Sequence, residues 1–167
     1  MKLTIKQLKK IIKEELGTLL EIGDSTPYNF KDGVWEKGDF VYYFTTDEEK
    51  GALQYKVKFN LDTIAEPEAW EIDFNLMDKK QYDLTNQTDY RIMPTIVEII
   101  KDFAKNTEEH DKKEKIYFTF YGTRKEGGKD LGDSKRTKYY KWFLKRAGVE
   151  VIEDEGNNVT FAINRNS

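Results

Sequence analysis

The chain has no cysteine among its 167 residues, which removes disulfides, thiol nucleophiles and thiolate zinc sites together. That composition fits a reducing compartment. Histidine is almost as scarce: His110 stands alone in "NTEEHDKKEK", where acids interleaved with lysines indicate a hydrated loop and no metal site. No apolar run reaches membrane-spanning length, so no membrane association is expected. The Lys-rich start lacks the uninterrupted apolar core and small-residue cleavage site of a secretory signal. A net charge of −3 gives no global field toward nucleic acid or membrane. There is no Walker loop, Gly-x-Ser-x-Gly elbow or metalloprotease signature, and Ser25, Ser134 and Ser167 have no evident base. An ordinary hydrolase is therefore poorly supported. Glycine is missing from the whole interval between Gly51 and Gly122.

What is present is aromatic and charged. Phe, Tyr and Trp make up 14% of the chain, enough to argue against disorder although 35% of residues are charged. The length fits one domain with an attached segment and can bury a real core.

Residues 1–22, "MKLTIKQLKKIIKEELGTLLEI", read as one amphipathic helix. Thr4 and Gln7 have capping-box spacing. Leu8, Ile11, Ile12, Leu16, Leu19 and Leu20 form an apolar stripe at helical spacing, of which Leu8, Ile12 and Leu16 are candidates for contact with a partner. Five lysines crowd the front half and Glu14, Glu15 and Glu21 the back, which opposes the helix dipole. Either a partner shapes this helix, or its stripe packs on the main domain. Residues 23–38, with Gly23, Pro27, Gly33 and Gly38, read as a linker or irregular lead-in.

From residue 39 to 167 the pattern is that of an α+β domain. Strands are expected at 39–46, 52–60 and 68–76, with a hairpin loop at "DEEKG" and a short, less regular piece at Tyr82–Asn86. A helix follows from Met93 to Asn106, its wide apolar face running from Met93 and Ile96 to Phe103 and Ala104. Pro94 sits in its first turn, where the missing N–H costs little. "KIYFTFY" (115–121) is a strand, and "GTRKEGGKDLGD" (122–133) a glycine-rich loop. A second helix spans Ser134–Ala147 with Asp133 as N-cap, and residues 149–164 form a closing hairpin. The expected fold is a mixed, mainly antiparallel sheet with both helices packed on it.

The second helix and its loop are strongly basic. Thr123 to Arg146 carries nine Lys/Arg against three acids, a net of +6, whereas Asp47 to Ile92 carries a net of −5. Lys138, Lys141 and Lys145 are candidates for binding nucleic acid or an acidic host factor. Tyr139, Trp142, Phe143 and Arg146 share one side at helical spacing, which marks the aromatics as core and not as stacking platforms.

This order of elements resembles the GNAT acetyltransferase fold, whose sheet opens between a central pair of strands beside the first core helix. A local echo lies in "DSKRTKYYKWFLKRAGVEV", where Tyr140 and Gly148 match the tyrosine and glycine of a GNAT pattern. Asp133, Arg136 and Tyr139 depart from that pattern, and Gly148-Val149 falls about one helical turn late. A narrower resemblance joins "TNQTDYRIMPTIVEIIKDF", "IYFTFYGTRK" and "SKRTKYYKWFLKR" to a family of proteins encoded by large tailed bacteriophages. There Tyr90-Arg91-Ile92-Met93 stands for Phe-Arg-Val-Phe, Lys135-Arg136 for Ser-Arg, and Tyr139-Tyr140 for Leu-Tyr. The opening "MKLTIKQLKKIIKEEL" resembles leaders on proteins of such phages, some of which are removed after a hydrophobic-x-Glu tripeptide. Leu19-Leu20-Glu21 has that form and is the candidate processing site.

The GNAT resemblance implies that acetyl-CoA pyrophosphate would be held near Thr88, Tyr90, Arg91 and Ile92. Tyr140 would be the general acid for the leaving thiolate, and Glu71 or Asp73 the base. The plainer reading makes Tyr140 a core-edge aromatic, Glu71 and Asp73 the solvated face of a strand, and Arg91 a surface ion-pair partner. The stretch "TDYRIMPT" has no glycine to let phosphates approach, Pro94 removes a donor, Asp89 adds negative charge, and Thr-Gly-x-Gly of the phage relatives has become Thr85-Asn86-Gln87-Thr88. The expectation is a virion-associated structural or interaction protein on an acetyltransferase-like scaffold, with no cofactor. It would meet other virion proteins through its N-terminal helix, in the virion or the cytoplasm of the infected bacterium. The alternatives are an active N-acyltransferase using acetyl-CoA, and a nucleic-acid or host-factor binder using helix 134–146.

Overall fold

The computed structural model describes residues 26–77, 91–107, 113–121, 135–147, 149–155 and 158–164. The helix expected at 1–22, the piece at 82–86 and the loop at 122–133 lie outside these residues. Among the described residues, seven strands and two α-helices follow in the order β1 (Val34–Glu36), β2 (Asp39–Thr45), β3 (Gln54–Asp62), β4 (Ala69–Leu76), α1 (Ile92–Asn106), β5 (Lys115–Tyr121), α2 (Lys135–Arg146), β6 (Glu150–Glu155) and β7 (Asn158–Asn164). The domain is mixed α+β. Its sheet order is β1-β2-β3-β4-β5-β7-β6, antiparallel everywhere except between β4 and β5.

That exception follows from the connections. β1 to β4 are joined by turns and loops short enough for antiparallel neighbours, whereas α1 lies between β4 and β5, and a crossover of that length lets the chain return parallel. The parallel ladder is short, running only from Trp70↔Phe118 to Ile72↔Phe120. β4 continues to Leu76, still paired with β3 through Tyr55↔Leu76, so its last four residues have no partner on the β5 side in this ladder. Among the described residues the sheet is thus open at the end of β4 that leads toward α1.

β1 falls where a linker or lead-in was expected. Glu36 pairs with Asp39, leaving a two-residue turn in which Lys37 has φ 50° and Gly38 φ 96°. Two successive positive φ values give the turn twist that hairpins favour, and glycine takes the second without a Cβ penalty.

Alternation sorts the strands into two unlike faces. On one lie Phe40, Tyr42, Phe44, Tyr55, Val57, Phe59, Trp70, Ile72, Ile116, Phe118, Phe120, Val159 and Phe161, all buried in one core with α1 and with Phe143 and Leu144 of α2. Phe103 of α1 is its centre. Its ring stacks on Phe59 at 4.0 Å and meets Trp70 edge-on at 4.9 Å, Phe40 at 5.4 Å and Phe118 at 6.0 Å. The other face is polar. Register places Asp39, Tyr43, Lys56, Lys58, Asn60, Glu71, Asp73, Asn75, Thr119 and Thr160 on it, with Val41 and Ala69 as buried small members. Antiparallel sheets tolerate this arrangement, one face dry and the other wet.

Candidate functional site

The first candidate region is the start of α1. The helix begins at Ile92 because Pro94 fixes a helical φ in the first turn and the apolar residues then repeat at 3.6-residue spacing. Arg91 stands at its N-cap without a side-chain cap bond. Its side chain turns outward instead, to the lead-in segment and the β2–β3 hairpin. Nε donates to the Thr26 carbonyl at 2.8 Å, Nη2 to the Pro27 carbonyl at 3.4 Å, and Nη1 makes a short, charged hydrogen bond with Asp47. The guanidinium also lies 3.9 Å from the centre of the Tyr28 ring, close enough for a cation–π contact.

Thr95 completes the joint. Fully buried, its hydroxyl donates to the Arg91 carbonyl at 2.6 Å and accepts the Tyr28 backbone N–H at 2.8 Å. Tyr28 in turn stacks against Phe44 at 6.1 Å. The backbone N–H of Thr95 already bonds the Arg91 carbonyl. With Pro94 lacking an N–H, the first turn retains only the Ile92 and Met93 amides for an outside acceptor. The lead-in chain is fastened where the GNAT resemblance would put a pyrophosphate.

The second candidate region is the polar face of the sheet around Glu71. Lys58 sits between two acids, 3.5 Å from Asp73 and 4.0 Å from Asp39, and Asn75 donates to Asp73 at 2.9 Å. Further toward the β1 edge, Glu36 accepts hydrogen bonds from Lys56 at 2.9 Å and from the Tyr43 hydroxyl at 2.9 Å. These bonds hold the Glu36 carboxyl below its ordinary pKa. Glu71 moves the other way. Partial burial raises its pKa first, and Asp73, Asp62 and Asp39 add to the rise against the opposing pull of Lys58. A carboxyl whose pKa is raised in this way is the type of group a general base requires.

The third region is α2. Among its described side chains Lys141, Phe143 and Leu144 are buried, Trp142 is half-buried, and Lys145 and Arg146 are exposed. Phe143 lies in the core as expected and Trp142 packs against it, while the side chain of Tyr139 lies outside the described residues. Leu144 fills the core, and Arg146 lies over the Trp142 ring at 5.4 Å. Lys141, expected among the partner-facing lysines, is only 7% exposed. Two apolar neighbours packing inward carry its aliphatic stem with them. Lys145 remains on the surface.

Of the residues singled out from sequence, Glu71 and Asp73 share one face two residues apart, and Arg91 and Ile92 share the start of α1. α2, which carries Tyr140 and Lys138, lies on the opposite side of the sheet from Glu71. The side chains of Tyr140 and Lys138 lie outside the described residues, as do Thr88, Tyr90, Leu8, Ile12, Leu16, Leu19, Leu20 and Glu21. Among the described residues no cluster of three or more His, Asp or Glu is arranged to hold a metal, and no helix is long and apolar enough to cross a membrane.

Sequence reading missed Asp47, Tyr28 and Thr95 as the partners of Arg91. It also missed the part-buried pair in which the Tyr42 hydroxyl donates to Asp102 at 2.8 Å, where Asn106 donates to the same oxygen. Burial and this neighbouring carboxylate push the Tyr42 phenol far above its ordinary range. Periodicity does not signal the long-range contacts, since Asp47, Tyr28 and the Thr26 carbonyl lie 44 to 65 residues from Arg91 in sequence. No family model matches the chain, and no curated protein matches it either.

Proposed function

We propose that this chain is a virion-associated structural or interaction protein of a tailed bacteriophage, built on a GNAT-like scaffold and working without conventional acetyl-CoA catalysis. The observation that carries the reading is the joint at the start of α1. Where an acetyltransferase keeps a ring of free backbone N–H groups for pyrophosphate, Arg91 is engaged by Asp47 and the Thr26 and Pro27 carbonyls. Pro94 removes a further donor. The scaffold itself is supported by the strand order with one parallel pair, by α1 between the members of that pair, and by the short ladder that leaves the sheet open beside it. The phage setting rests on the resemblance of residues 85–103, 116–125 and 134–146 and of the leader-like opening.

Mass spectrometry of purified particles of the encoding phage tests the assignment. The protein is expected among the virion components, and a mature N-terminus at Ile22 would identify Leu19-Leu20-Glu21 as the processing site. Absence from the particle would remove the structural role. A thermal-shift titration with acetyl-CoA up to millimolar concentration tests the cofactor question, because any ligand that binds only the folded state must raise the melting temperature. No shift is expected.

A second reading, an active N-acyltransferase, is favoured by one specific observation: the raised carboxyl of Glu71 on β4, directly before the point where β4 leaves β5. In that reading the amine nitrogen attacks the thioester carbonyl and Glu71, directly or with Asp73 through water, takes the amine proton. α2, which carries the expected acid Tyr140, lies on the other side of the sheet, so in this reading the departing thiolate takes its proton from water. A saturable acetyl-CoA shift, together with acyl transfer lost in Glu71→Gln, would establish this reading over the first.

A further inference from the structure

The lead-in chain runs along the length of α1. Tyr28 meets Thr95 near the start of the helix, and farther on Gly33 reaches Tyr42, whose hydroxyl donates to Asp102 near the helix end. Gly33 belongs there because a Cβ would stand 2.1 Å from the Phe40 ring and 2.7 Å from that of Tyr42. Its backbone therefore rests on those rings, and two carboxylates converge on the Tyr42 hydroxyl, Asp32 from the lead-in and Asp102 from α1. Burial and Asp102 push that phenol up, and Asp32 adds to the rise. Among the described residues no lysine or arginine is paired with either acid, and Asp102 accepts from Tyr42 and Asn106 alone.

From Tyr42 a row of rings leads to a donor that has no acceptor. Tyr42 meets Phe40 at 5.5 Å, Phe40 meets Trp35 at 5.1 Å, and Trp35 meets Trp70 at 6.4 Å. Trp70 is only 4% exposed, and its Nε1 is buried without a hydrogen-bond partner. An N–H left so bears its full desolvation cost, and an acceptor from outside the fold would relieve it. Of the two described rings against Trp70, Phe103 is fully buried and Trp35 is 46% exposed, so Trp35 marks the side of approach.

We propose that this row receives an extended, arginine-bearing segment of a partner protein. The guanidinium sits between Asp32 and Asp102, and a backbone carbonyl of the segment accepts the Trp70 Nε1–H as the half-exposed Trp35 ring swings aside. The row suits about three residues of extended chain, which rise about 3.3 Å each. Acids on two sides suit the rigid five-donor fork of arginine better than a lysine ammonium. Arg91 displays the same mode inside the chain, lying over the Tyr28 ring while it binds Asp47 and two carbonyls. Nucleic acid is disfavoured, because its phosphates would meet the two carboxylates. The inference goes beyond the interaction-protein reading by naming a surface and a partner chemistry, and it stands or falls independently of virion association.

Proton–nitrogen correlation NMR of the full chain provides the test, since its three tryptophans give three separate indole N–H signals. Trp35→Phe and Trp70→Phe assign them. Titration with the peptide acetyl-Ala-Arg-Ala-amide to millimolar concentration should move the Trp70 indole proton downfield and saturably, as a new hydrogen bond requires. The Trp35 signal should move with it and that of Trp142 should stay. Asp32→Asn with Asp102→Asn should weaken binding at least about tenfold. Asp32→Asn alone, at an exposed position, serves if the double variant fails to fold. The glutamine peptide acetyl-Ala-Gln-Ala-amide should leave all three signals in place. No saturable movement of Trp70 in the unmodified chain, or equal movement with the glutamine peptide, would overturn the proposal. So would a thymidine oligonucleotide that moves Trp35 and Trp70 where the arginine peptide does not.

Discussion

The two faces of the sheet use the same alternating pattern to opposite ends. On the helix side every second residue is large and apolar, and one ring, Phe103, touches aromatic residues from four strands. On the other side the alternate residues are lysines, acids, threonines and asparagines joined by ion pairs that stay partly in water. The dry face supplies the stability of the fold, since apolar burial is worth far more than exposed pairs. The wet face contributes little to stability, so its chemistry can serve recognition. The joint at Arg91 is intermediate, a half-exposed cluster that fixes where the lead-in meets the domain.

The comparison breaks first at Phe103. Phe103→Ala should cost about 3–5 kcal/mol of unfolding free energy by urea denaturation, because the cavity would open among rings that four strands hold in place. A loss under about 1 kcal/mol would mean that the core can collapse around the gap and that the dry face is less rigidly packed than its stacking suggests. Next comes Arg91→Ala, expected to lower stability by about 1 kcal/mol after allowance for its exposure. It should also raise proteolytic cleavage near residues 26–30. Arg91→Lys should restore little of this, since an ammonium cannot serve two carbonyls, a carboxylate and a ring face in one geometry. Equal behaviour of the lysine variant would reduce the joint to a simple charge pair.

Glu71→Gln probes the wet face and should have the smallest effect. A carboxyl with a raised folded pKa binds more protons in the native than in the unfolded state, so it lowers stability as pH rises through and above the ordinary Glu range. Removing the charge should therefore stabilise the protein at pH 7 and do nearly nothing at pH 4. Thermal melts of both proteins at the two pH values measure this. Stabilisation of the same size at both values would place the cause outside ionisation.

Most of the architecture was legible from alternation and helical spacing because burial itself writes those patterns. The strands at β2, β3, β4 and β5 and both helices lie within about two residues of their expected limits. β1 was not legible. It has three residues at an edge, between Gly33 and Gly38, and its pairing is set by the positive-φ turn and not by any run of strand formers. On α2, spacing placed Phe143 in the core and Trp142 against it, whereas the burial of Leu144 and Lys141 was not legible, because both stand in a strongly basic run. Of the candidate site, Glu71 and Asp73 could be placed on one face from spacing alone. The fate of Arg91 could not, because Asp47 and Thr26 come to it only through the closed fold.

The short β4–β5 ladder has a mechanical consequence. It divides the sheet into two leaves, β1 to β4 and β5 to β7, stitched over three residues along a central seam. Phe103 crosses that seam like a pin, resting on Phe40, Phe59 and Trp70 of one leaf and Phe118 of the other. A load applied across the strands would fall on that three-residue ladder and on the rings that bridge it, Phe103 and the Phe59–Phe118 pair at 6.2 Å.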